Sequence, residues 1–301
     1  MRRNMRHGCN RIIMKGKYCA LLILCFVHVI SLHAQSFFTV IDDDAASLEA
    51  VNSVVGIADS CGISVCFGVI TEKMGRDSSL VDRLLQLQKQ GHQIINHSYS
   101  HAATIWKHPE PNAVMNEIYQ SQRQLDSLGF VNHDFLVYPF GKFDKRTLTW
   151  IIDSVKPHFR MAFNSRGCVN RWDEFNRFYI SRLPIRKHDN LVILKHEIDQ
   201  ARKAQGWVVL LNHSGMKRDY DQKYLKEVID YCLDNGMRCL TVNEAYFILK
   251  YRNLLKEDKP LSWNMFDEVL YLIHHHILYL GGCFILLSIL MGIIVKRIVL
   301  K

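Results

Sequence analysis

The sequence predicts an α/β fold built on a parallel sheet, either open or closed into a barrel. Between residues 37 and 249, short apolar runs alternate with longer segments of helical periodicity, and strands that alternate with helices pair in parallel. The chain is 49% apolar and 22% charged, with 16 glycines and 6 prolines among 301 residues. This composition excludes a disordered or collagen-like chain.

The predicted strands are the short apolar runs. The first reads FFTVI, and the later ones share its content of β-branched and aromatic residues. In chain order these strands are 37–41, 63–70, 93–96, 135–139, 160–163, 179–182, 207–212 and 238–242.

The predicted helices have apolar residues three and four positions apart, which places those residues on one helix face. Gly129 follows one of these helices directly, a position where glycine commonly ends a helix. The predicted helices are 47–58, 80–89, 113–128, 145–154, 191–204 and 223–235. The span 35–250 contains no linker or repeat and suits one domain of this kind.

The formal net charge of +9 comes from the two ends of the chain. Residues 1–34 carry six basic side chains and no acidic one, and residues 296–301 carry three more basic side chains. The remaining body is balanced, with 29 basic and 29 acidic residues. A nucleic-acid-binding face is therefore not predicted.

Residues 1–34 have the features of a secretory signal peptide. A basic segment, 1–17, precedes a mostly apolar stretch, 18–32, which is short for a membrane span. Cleavage is expected after Ala34. The alternative is an uncleaved N-terminal anchor, because His33 occupies a position where a smaller residue is preferred.

Residues 277–295 are predicted to form a transmembrane helix. These 19 residues carry no charge and precede Lys296 and Arg297, and a helix of that length rises about 28 Å. A buried core helix is the alternative. We expect 251–276 to form a juxtamembrane stem and 296–301 a cytoplasmic tail. Because basic flanks stay in the cytoplasm, the predicted location is the cytoplasmic membrane, with a single span and the domain on the extracytoplasmic side.

The cysteines predict neither a disulfide framework nor a zinc knuckle. No CxxC pair occurs, and the body holds an odd five: Cys61, Cys66, Cys168, Cys232 and Cys239. One or two bridges remain open, and the expected role of most of these residues is that of small buried hydrophobes.

Polar residues lie at the ends of four of the predicted strands. These strands end in Asp42-Asp43-Asp44, His97-Ser98-Tyr99-Ser100-His101, Tyr138-Pro139-Phe140-Gly141 and Leu211-Asn212-His213-Ser214. The carboxyl ends of parallel strands converge on one face, so these groups are expected to form one site. Histidines four apart would meet on one face of a helical turn, a spacing that suits a single metal ion. One of the three aspartates could instead cap the helix that follows.

The order of these motifs resembles the NodB-homology polysaccharide deacetylases, also called carbohydrate esterase family 4. The segment from Gly91 to His101 is similar to the second motif of that family, and the resemblance covers roughly residues 37–250. It implies a distorted (β/α) barrel, often of seven strands, that removes acetyl groups from N-acetylated sugars.

The resemblance also implies a role for each matched residue. Asp42 matches the general base and His213 the general acid. Asp43, His97 and His101 match the metal ligands. The turn Tyr138-Pro139-Phe140-Gly141 matches the segment that binds substrate and stabilises the oxyanion through the Phe140 N–H. One divalent ion is expected, with zinc as the default for nitrogen and oxygen ligands, while cobalt, nickel and iron stay open.

Two departures from the family pattern stand out. Asp44 occupies the position that is usually glycine, and Val137 and Tyr138 stand where an arginine usually orients the base. The Tyr-Pro-Phe-Gly turn resembles a subgroup in which an arginine from a later strand takes that role, and Arg182 is the candidate here. Asp189 or Asp199 could orient His213, and the sequence does not choose between them.

The predicted function is metal-dependent hydrolysis of N-acetyl groups on peptidoglycan, an exopolysaccharide or another cell-surface glycan. Asp42 would take a proton from water, and His213 would protonate the departing amine. The alternative is a non-catalytic glycan-binding member of the same fold, which the two departures favour. The expected partners are the glycan and, through 277–295, the membrane.

Overall fold

The computed structural model describes residues 36–258, except 46, 107–108, 142, 144, 166, 168, 173–174, 187–188, 217–219 and 256–257. The predicted signal peptide, transmembrane helix and tail lie outside these residues, as do Cys168 and nearly all of the predicted stem. Of the predicted stem, 251–255 and 258 are described. Within the described ranges, no helix has both the length and the apolar character needed to cross a membrane.

Eight strands and nine helices make up the described part of the chain. The strands are β1 (Phe37–Asp42), β2 (Cys66–Val69), β3 (Gln93–Asn96), β4 (Phe135–Val137), β5 (Met161–Phe163), β6 (Leu183–Pro184), β7 (Trp207–Asn212) and β8 (Arg238–Cys239). The helices are α1 (Leu48–Cys61), α2 (Thr71–Met74), α3 (Ser78–Lys89), α4 (Ala103–Trp106), α5 (Pro111–Ser127), α6 (Lys145–Val155), α7 (Leu191–Lys203), α8 (Gln222–Asp234) and α9 (Val242–Tyr251).

The named strands form one sheet in which every pair is parallel, as predicted. Their order is β5-β4-β3-β2-β1-β7-β6, and β8 pairs with the first residues of β1. A parallel pair needs a crossover between its strands, and helices supply most of these crossovers. The predicted α/β class is confirmed.

The sheet curls until its two ends meet at the segment 180–184. Ile180 pairs in parallel with Phe163 of β5, and its amide donates to the Ala162 carbonyl at 3.0 Å. Three residues later, Leu183 of β6 pairs with Leu210 of β7. One segment thus contacts both ends of the strand path, and the parallel sheet forms a curved wall.

Side chains on the two faces of this wall enter different cores. Alternate residues of β1, Phe37 and Ile41, lie in an inner core with residues of β2, β3, β4, β5 and β7. Phe38 and Val40 lie in an outer core that contains residues of α1, α3 and α8. A second outer core packs Leu136 and other buried residues against α5 and α6. The face with Phe37 and Ile41 is the inner face of the wall, and the face with Phe38 and Val40 is the outer face.

Helix α9 closes the end of the wall where the strands begin. Its residues Val242, Ala245 and Leu249 belong to the inner core. The Val242 and Asn243 amides donate to the side chains of Cys66 and Gln93, the first residues of β2 and β3. The carboxyl ends of the strands therefore lie at the opposite end from α9.

Several predicted elements differ from the structure. In place of a strand at 179–182, regular pairing is confined to β6, because Asn170 bonds to both the amide and the carbonyl of Ser181 at 2.8 Å. The predicted strand 238–242 ends at Cys239, because Thr241 and Glu244 form a capping box that starts α9. Helices α2 and α4 have four residues each, too few to show a helical period.

The four described cysteines have free thiols, and two of them, Cys66 and Cys232, are buried. Burial raises the pKa of Cys66 and of Cys232 to about 12. These two thiols therefore behave as small apolar groups at neutral pH, in line with the role expected from the sequence.

Removing the Leu249 side chain should weaken the packing of α9 against the inner core. Leu249 is fully buried, so Leu249→Ala should lower the free energy of unfolding by about 2–5 kcal/mol through lost contacts and a cavity. Lys250→Ala changes the exposed neighbour on the same helix and should stay within about 0.5 kcal/mol of wild type. Urea unfolding of the full chain compares the two. Equal losses would show that α9 does not close the inner core.

Candidate functional site

The carboxyl ends of β1, β3 and β7, together with Arg182 just before β6, bring polar side chains to one end of the wall. Residues after or near these strand ends lie close to one another: Asp43, Asp44, His97, His101, Arg182 and His213. Asp43, His97 and Arg182 are buried, and Asp44, His101 and His213 are partly buried. The sequence prediction of a single site at the strand ends agrees with this arrangement.

Asp42 lies on the outer face of the wall. Its Oδ1 accepts hydrogen bonds from Asn212 Nδ2 at 2.5 Å and from the Ser214 amide at 2.8 Å, while Oδ2 accepts from the Ser214 hydroxyl at 2.5 Å. The side chain is fully buried. Burial raises the pKa of Asp42 to about 7, against the opposing effect of the Ser214 and Asn212 donors. None of these contacts involves the two histidines of the 97–101 loop.

Asp43 faces inward and pairs with a buried arginine. Arg182 Nη1 donates to both carboxylate oxygens, at 2.7 and 2.8 Å, and Arg182 Nε donates to the Asn164 carbonyl at 2.7 Å. Burial alone would raise the pKa of Asp43, but the charge of Arg182, followed by the electrostatic effects of His97 and His213, outweighs it, so the pKa is lowered. Asp43 is therefore an ionised carboxylate with a fixed orientation.

Asp44 lies between the two histidines. Its Oδ1 is 3.5 Å from His97 Nε2 and 3.8 Å from His101 Nε2. The three residues each offer one ligand atom, and these atoms lie within 4.8 Å of one another. Asp44 Oδ1 is buried and has no hydrogen-bond partner among the described residues. One carboxylate oxygen and two imidazole nitrogens fit a divalent metal ion, and such an ion would satisfy this orphaned oxygen.

The two histidines present nitrogen lone pairs to Asp44. His97 Nδ1 is 3.0 Å from the Val137 carbonyl, which can only accept, so Nδ1 carries the proton and Nε2 is left with its lone pair. Burial, followed by the adjacent His97, lowers the pKa of His101 to about 4. His101 is thus a neutral imidazole near neutral pH, the form that binds metals.

The loop 97–101 is not the helical turn that the histidine spacing predicted. Ser98 and His101 have positive φ values of 67° and 55°, and the two imidazole rings meet at 4.7 Å between centroids. The Ser98 hydroxyl accepts from the His101 amide at 3.1 Å. From α5, buried Glu117 accepts from the Ser100 amide and hydroxyl, both at 2.8 Å. Side-chain contacts, rather than helical geometry, bring the rings together.

The predicted substrate turn splits between the two faces of the wall. Tyr138 is buried in the second outer core, and its hydroxyl donates to the Phe178 carbonyl at 3.0 Å. Phe140 has a φ of 60° and is 39% exposed, with its ring 4.6 Å from that of His101. Pro139 and Gly141 complete the turn, and the Gly141 amide donates to the Pro139 carbonyl at 2.7 Å. Only the Phe140 end of this turn borders the histidines.

His213 faces inward from the turn after β7. Its Nε2 lies 3.9 Å from Asp43 Oδ2. Burial lowers the pKa of His213, and the nearby charges of Asp43 and Asp44 oppose that shift only in part. The two candidates for orienting this ring bond elsewhere: Asp189 accepts from the Arg186 amide and Asp199 from the Tyr231 hydroxyl, both at 3.0 Å.

This arrangement of strands and motifs can be compared with known proteins. Residues 35–153 match the polysaccharide deacetylase family model. No curated protein matches the chain significantly. The family match covers β1 to α6, and so includes the three aspartates, the histidine loop and the 138–141 turn.

Several solved structures share the fold of this chain. A Mycobacterium smegmatis protein assigned to the polysaccharide deacetylases aligns with a TM-score of 0.59 at 13% identity, covering 77% of this chain and 95% of that one. The Bc1960 peptidoglycan N-acetylglucosamine deacetylase aligns at 0.51 and 18% identity, over 69% and 86%. A family 4 acetyl xylan esterase from Clostridium thermocellum, solved with a cobalt ion, aligns at 0.51 and 12% identity, over 75% and 94%.

The predicted site residues converge, but their contacts differ from the predicted pattern. Asp44 lies with both histidines as a candidate ligand set, whereas Asp43 lies 3.9 Å from His97 and is paired with Arg182. Strand alternation explains why Arg182 contacts Asp43 and not Asp42, because Asp42 points to the outer face and Asp43 to the inner one. Asp44 lies beyond the end of β1 and has a φ of 56°.

Several residues support the site in roles that the sequence did not reveal. They are Gly68, Asn96, Glu117, Asn212 and Ser214. Asn96 and Asn212 could have been found, since each is a polar residue immediately before a predicted functional histidine. Glu117 and Gly68 carry no local signal, because their role depends on which elements pack together.

Gly68 gives a direct test of how tightly the inner face is packed. A Cβ there would lie 3.2 Å from Asp43 Oδ1 and 3.5 Å from His97 Cβ, and Arg182 prevents Asp43 from moving away. Gly68→Ala should therefore lower the free energy of unfolding by about 1–3 kcal/mol. Gly56→Ala, on an exposed position of α1 with nothing within 4 Å of the added Cβ, should instead gain about 0.5–1 kcal/mol. Urea unfolding measures both, and a neutral Gly68→Ala would contradict the packing argument.

Proposed function

We propose that this chain is a metal-dependent N-deacetylase that hydrolyses acetamido groups on an N-acetylated cell-surface or extracellular glycan. One observation carries the proposal. The Asp43 carboxylate fixed by Arg182, the His213 imidazole 3.9 Å from it and the three-residue ligand set converge on the inner face. The polysaccharide deacetylase match and the shared fold support the same reaction class.

Asp44, His97 and His101 would hold the metal ion. The orphaned Asp44 oxygen and the free Nε2 of His97 support this set, because each needs an electropositive partner. A divalent ion supplies Lewis-acid chemistry, polarising the acetamide carbonyl and making water easier to deprotonate. Zinc is the default for one oxygen and two nitrogen ligands, with cobalt, nickel or iron as the other candidates.

Asp43 would act as the general base. The Arg182 ion pair holds its pKa low, so the carboxylate is ionised and ready to accept the proton of the attacking water. The base role expected for Asp42 thus passes to Asp43, and the ligand role expected for Asp43 passes to Asp44. Arg182 keeps its expected part as the residue that orients the base, and Asp43 is the base it contacts.

His213 would act as the general acid. Its Nε2 lies 3.9 Å from the Asp43 carboxylate, so the two groups border the same space. Asp43 can then accept the proton of the attacking water while His213 donates a proton to the departing amine. Phe140 would place its backbone N–H at the carbonyl oxygen. The contact of its ring with His101 supports this, because it puts the turn at the edge of the ligand set.

The geometry weakens the case for a non-catalytic glycan-binding protein. That alternative rested on Asp44 in place of glycine and on the missing arginine before the turn. Asp44 lies where a metal ligand is needed, and Arg182 reaches the carboxylate from β6. Both departures thus become parts of one catalytic arrangement.

We propose that the domain is displayed outside the cytoplasm and held by 277–295. The basic ends of the chain support this topology. Helix α9 closes the end of the wall opposite the site, and the chain continues from α9 towards 277–295. An anchor there would direct the site away from the bilayer, towards glycan in the surrounding space.

Substitutions should separate the metal ligands from the base. His97→Ala and Asp44→Asn should reduce bound zinc well below the one ion per chain expected of wild type, and asparagine tolerates the positive φ of Asp44. Asp43→Asn should retain zinc while kcat falls by about 10²–10⁴. Asp59→Asn, an exposed carboxylate on α1, is the control. If Asp43→Asn loses zinc as fully as Asp44→Asn, Asp43 is a ligand and the assignment from the sequence stands.

The pH dependence should report His213. A general acid must be protonated, and the pKa of His213 is lowered from its usual 6.5, so kcat/KM should fall as pH rises, with a midpoint below 6.5. The low pKa of Asp43 keeps the base ionised across this range. His213→Gln should lower kcat by about 10²–10⁴ and remove the alkaline limb. The assay uses an N-acetylglucosamine oligomer, with melting temperature and zinc content as controls. An unchanged alkaline limb would place the acid elsewhere.

A further inference from the structure

We propose that Asp42 is a positioning residue that fixes the His213 turn from the outer face of the wall. The inference rests on the proposed deacetylase function, in which His213 protonates the leaving amine. It assigns Asp42 a task different from that of a base or a ligand. The contacts of Asp42, rather than its charge alone, carry the argument.

Asp42 binds both chain neighbours of His213. Asp42 and Asn212 are register partners across β1 and β7, and the Asn212 side chain donates to Oδ1 at 2.5 Å. On the other side of the histidine, Ser214 donates through its amide at 2.8 Å and through its hydroxyl at 2.5 Å. Three donors from two residues leave little freedom for the residue between them.

Because side chains alternate between the two faces, these contacts also determine the direction in which His213 points. Asn212 and Ser214 face Asp42 on the outer side, so His213 between them faces the inner side. Asp43, the neighbour of Asp42 along β1, faces the same inner side and lies 3.9 Å from His213 Nε2. The outer contacts therefore set the separation of the proposed base and acid. Misplacing a catalytic group by about 1 Å can cost about 10²-fold in rate.

Neither helix capping nor metal binding accounts for the contacts of Asp42. Helix α1 is capped by Ser47, whose side chain accepts from the Ala50 amide, so Asp42 does not serve as the cap. Among the described residues, the group that could hold a metal ion consists of Asp44, His97 and His101. The two histidines lie on the inner side, so Asp42 is not part of this group. The acceptor sites of Asp42 are instead occupied by donors from 212 and 214.

The amide of asparagine can reproduce most of these bonds. In Asp42→Asn the carbonyl oxygen can still accept from Asn212 and from the Ser214 amide. The new NH₂ group can donate to the Ser214 hydroxyl, which also accepts. Asp42→Ala removes all three bonds. A positioning residue should thus tolerate asparagine far better than alanine, whereas a general base should tolerate neither.

The experiment measures kcat and KM of the full chain with its zinc on an N-acetylglucosamine oligomer. Asp42→Ala should lower kcat by about 10²-fold with KM and zinc content near wild type, and Asp42→Asn should recover all but a few-fold of that loss. Thr39→Val is the matched control. It removes another buried β1–β7 side-chain bond, from Trp207 Nε1 to Thr39 Oγ1, far from the site, and should lower the melting temperature without lowering kcat.

Hydrogen exchange of residues 207–216 supplies a readout that needs no activity. Asp42→Ala should speed exchange in 213–216 relative to wild type and leave 97–101 unchanged, because only the first segment bonds to Asp42. If wild type does not hydrolyse the N-acetylglucosamine oligomer, this result counts against the proposed function and not against the role of Asp42. Hydrogen exchange alone then decides the positioning role.

Three results would overturn the proposal. A kcat of Asp42→Ala near that of wild type would make Asp42 purely structural. An Asp42→Asn variant that keeps zinc and is as inactive as Asp43→Asn would make Asp42 the base. Unchanged exchange in 213–216 would show that Asp42 does not hold the turn.

Discussion

Side chains alternate between the two faces of a strand, and at the carboxyl ends of three strands this alternation decides which residues reach the site. In each case a buried polar residue faces outward and the next residue faces inward. The pairs are Asp42 and Asp43 on β1, Asn96 and His97 on β3, and Asn212 and His213 on β7. The hydrogen bonds of each outer residue fix the backbone next to its inner neighbour, and so fix the position of the inner side chain. Asn96, for example, donates to the Ile118 carbonyl of α5 at 3.2 Å and accepts from the Ser98 amide at 2.8 Å.

Three consecutive carboxylates repel one another, and the fold gives each a different partner. Asp42 receives neutral donors and its pKa rises through burial, Asp43 pairs with Arg182 and its pKa falls, and Asp44 lies against the two imidazoles. The Arg182 guanidinium offsets only part of this negative charge. The inner face therefore favours a further cation, and the orphaned oxygen of Asp44 is the place where one would bind.

The sequence was sufficient for the class of fold, for most strands and for the four motifs at the strand ends. It could not assign the three aspartates, because β1 is buried on both faces and FFTVID shows no alternation of apolar and polar residues. The contact of Arg182 with Asp43 joins residues 139 positions apart, which no local pattern reveals. The two histidines do lie together, but not in the helical turn that their spacing predicted, because the loop is held by Ser98 and Glu117.

Backbone strain links the site to the helical layer outside the wall. Seven non-glycine residues in the described ranges have positive φ, and four of them border the site: Asp44, Ser98, His101 and Phe140. Each such conformation costs roughly 1–3 kcal/mol and persists only where surrounding contacts determine it. For the histidine loop those contacts come from Asn96 and from Glu117 on α5, both buried. The ligand geometry therefore depends on the docking of α5 against the wall, because the strained loop would relax if that helix moved.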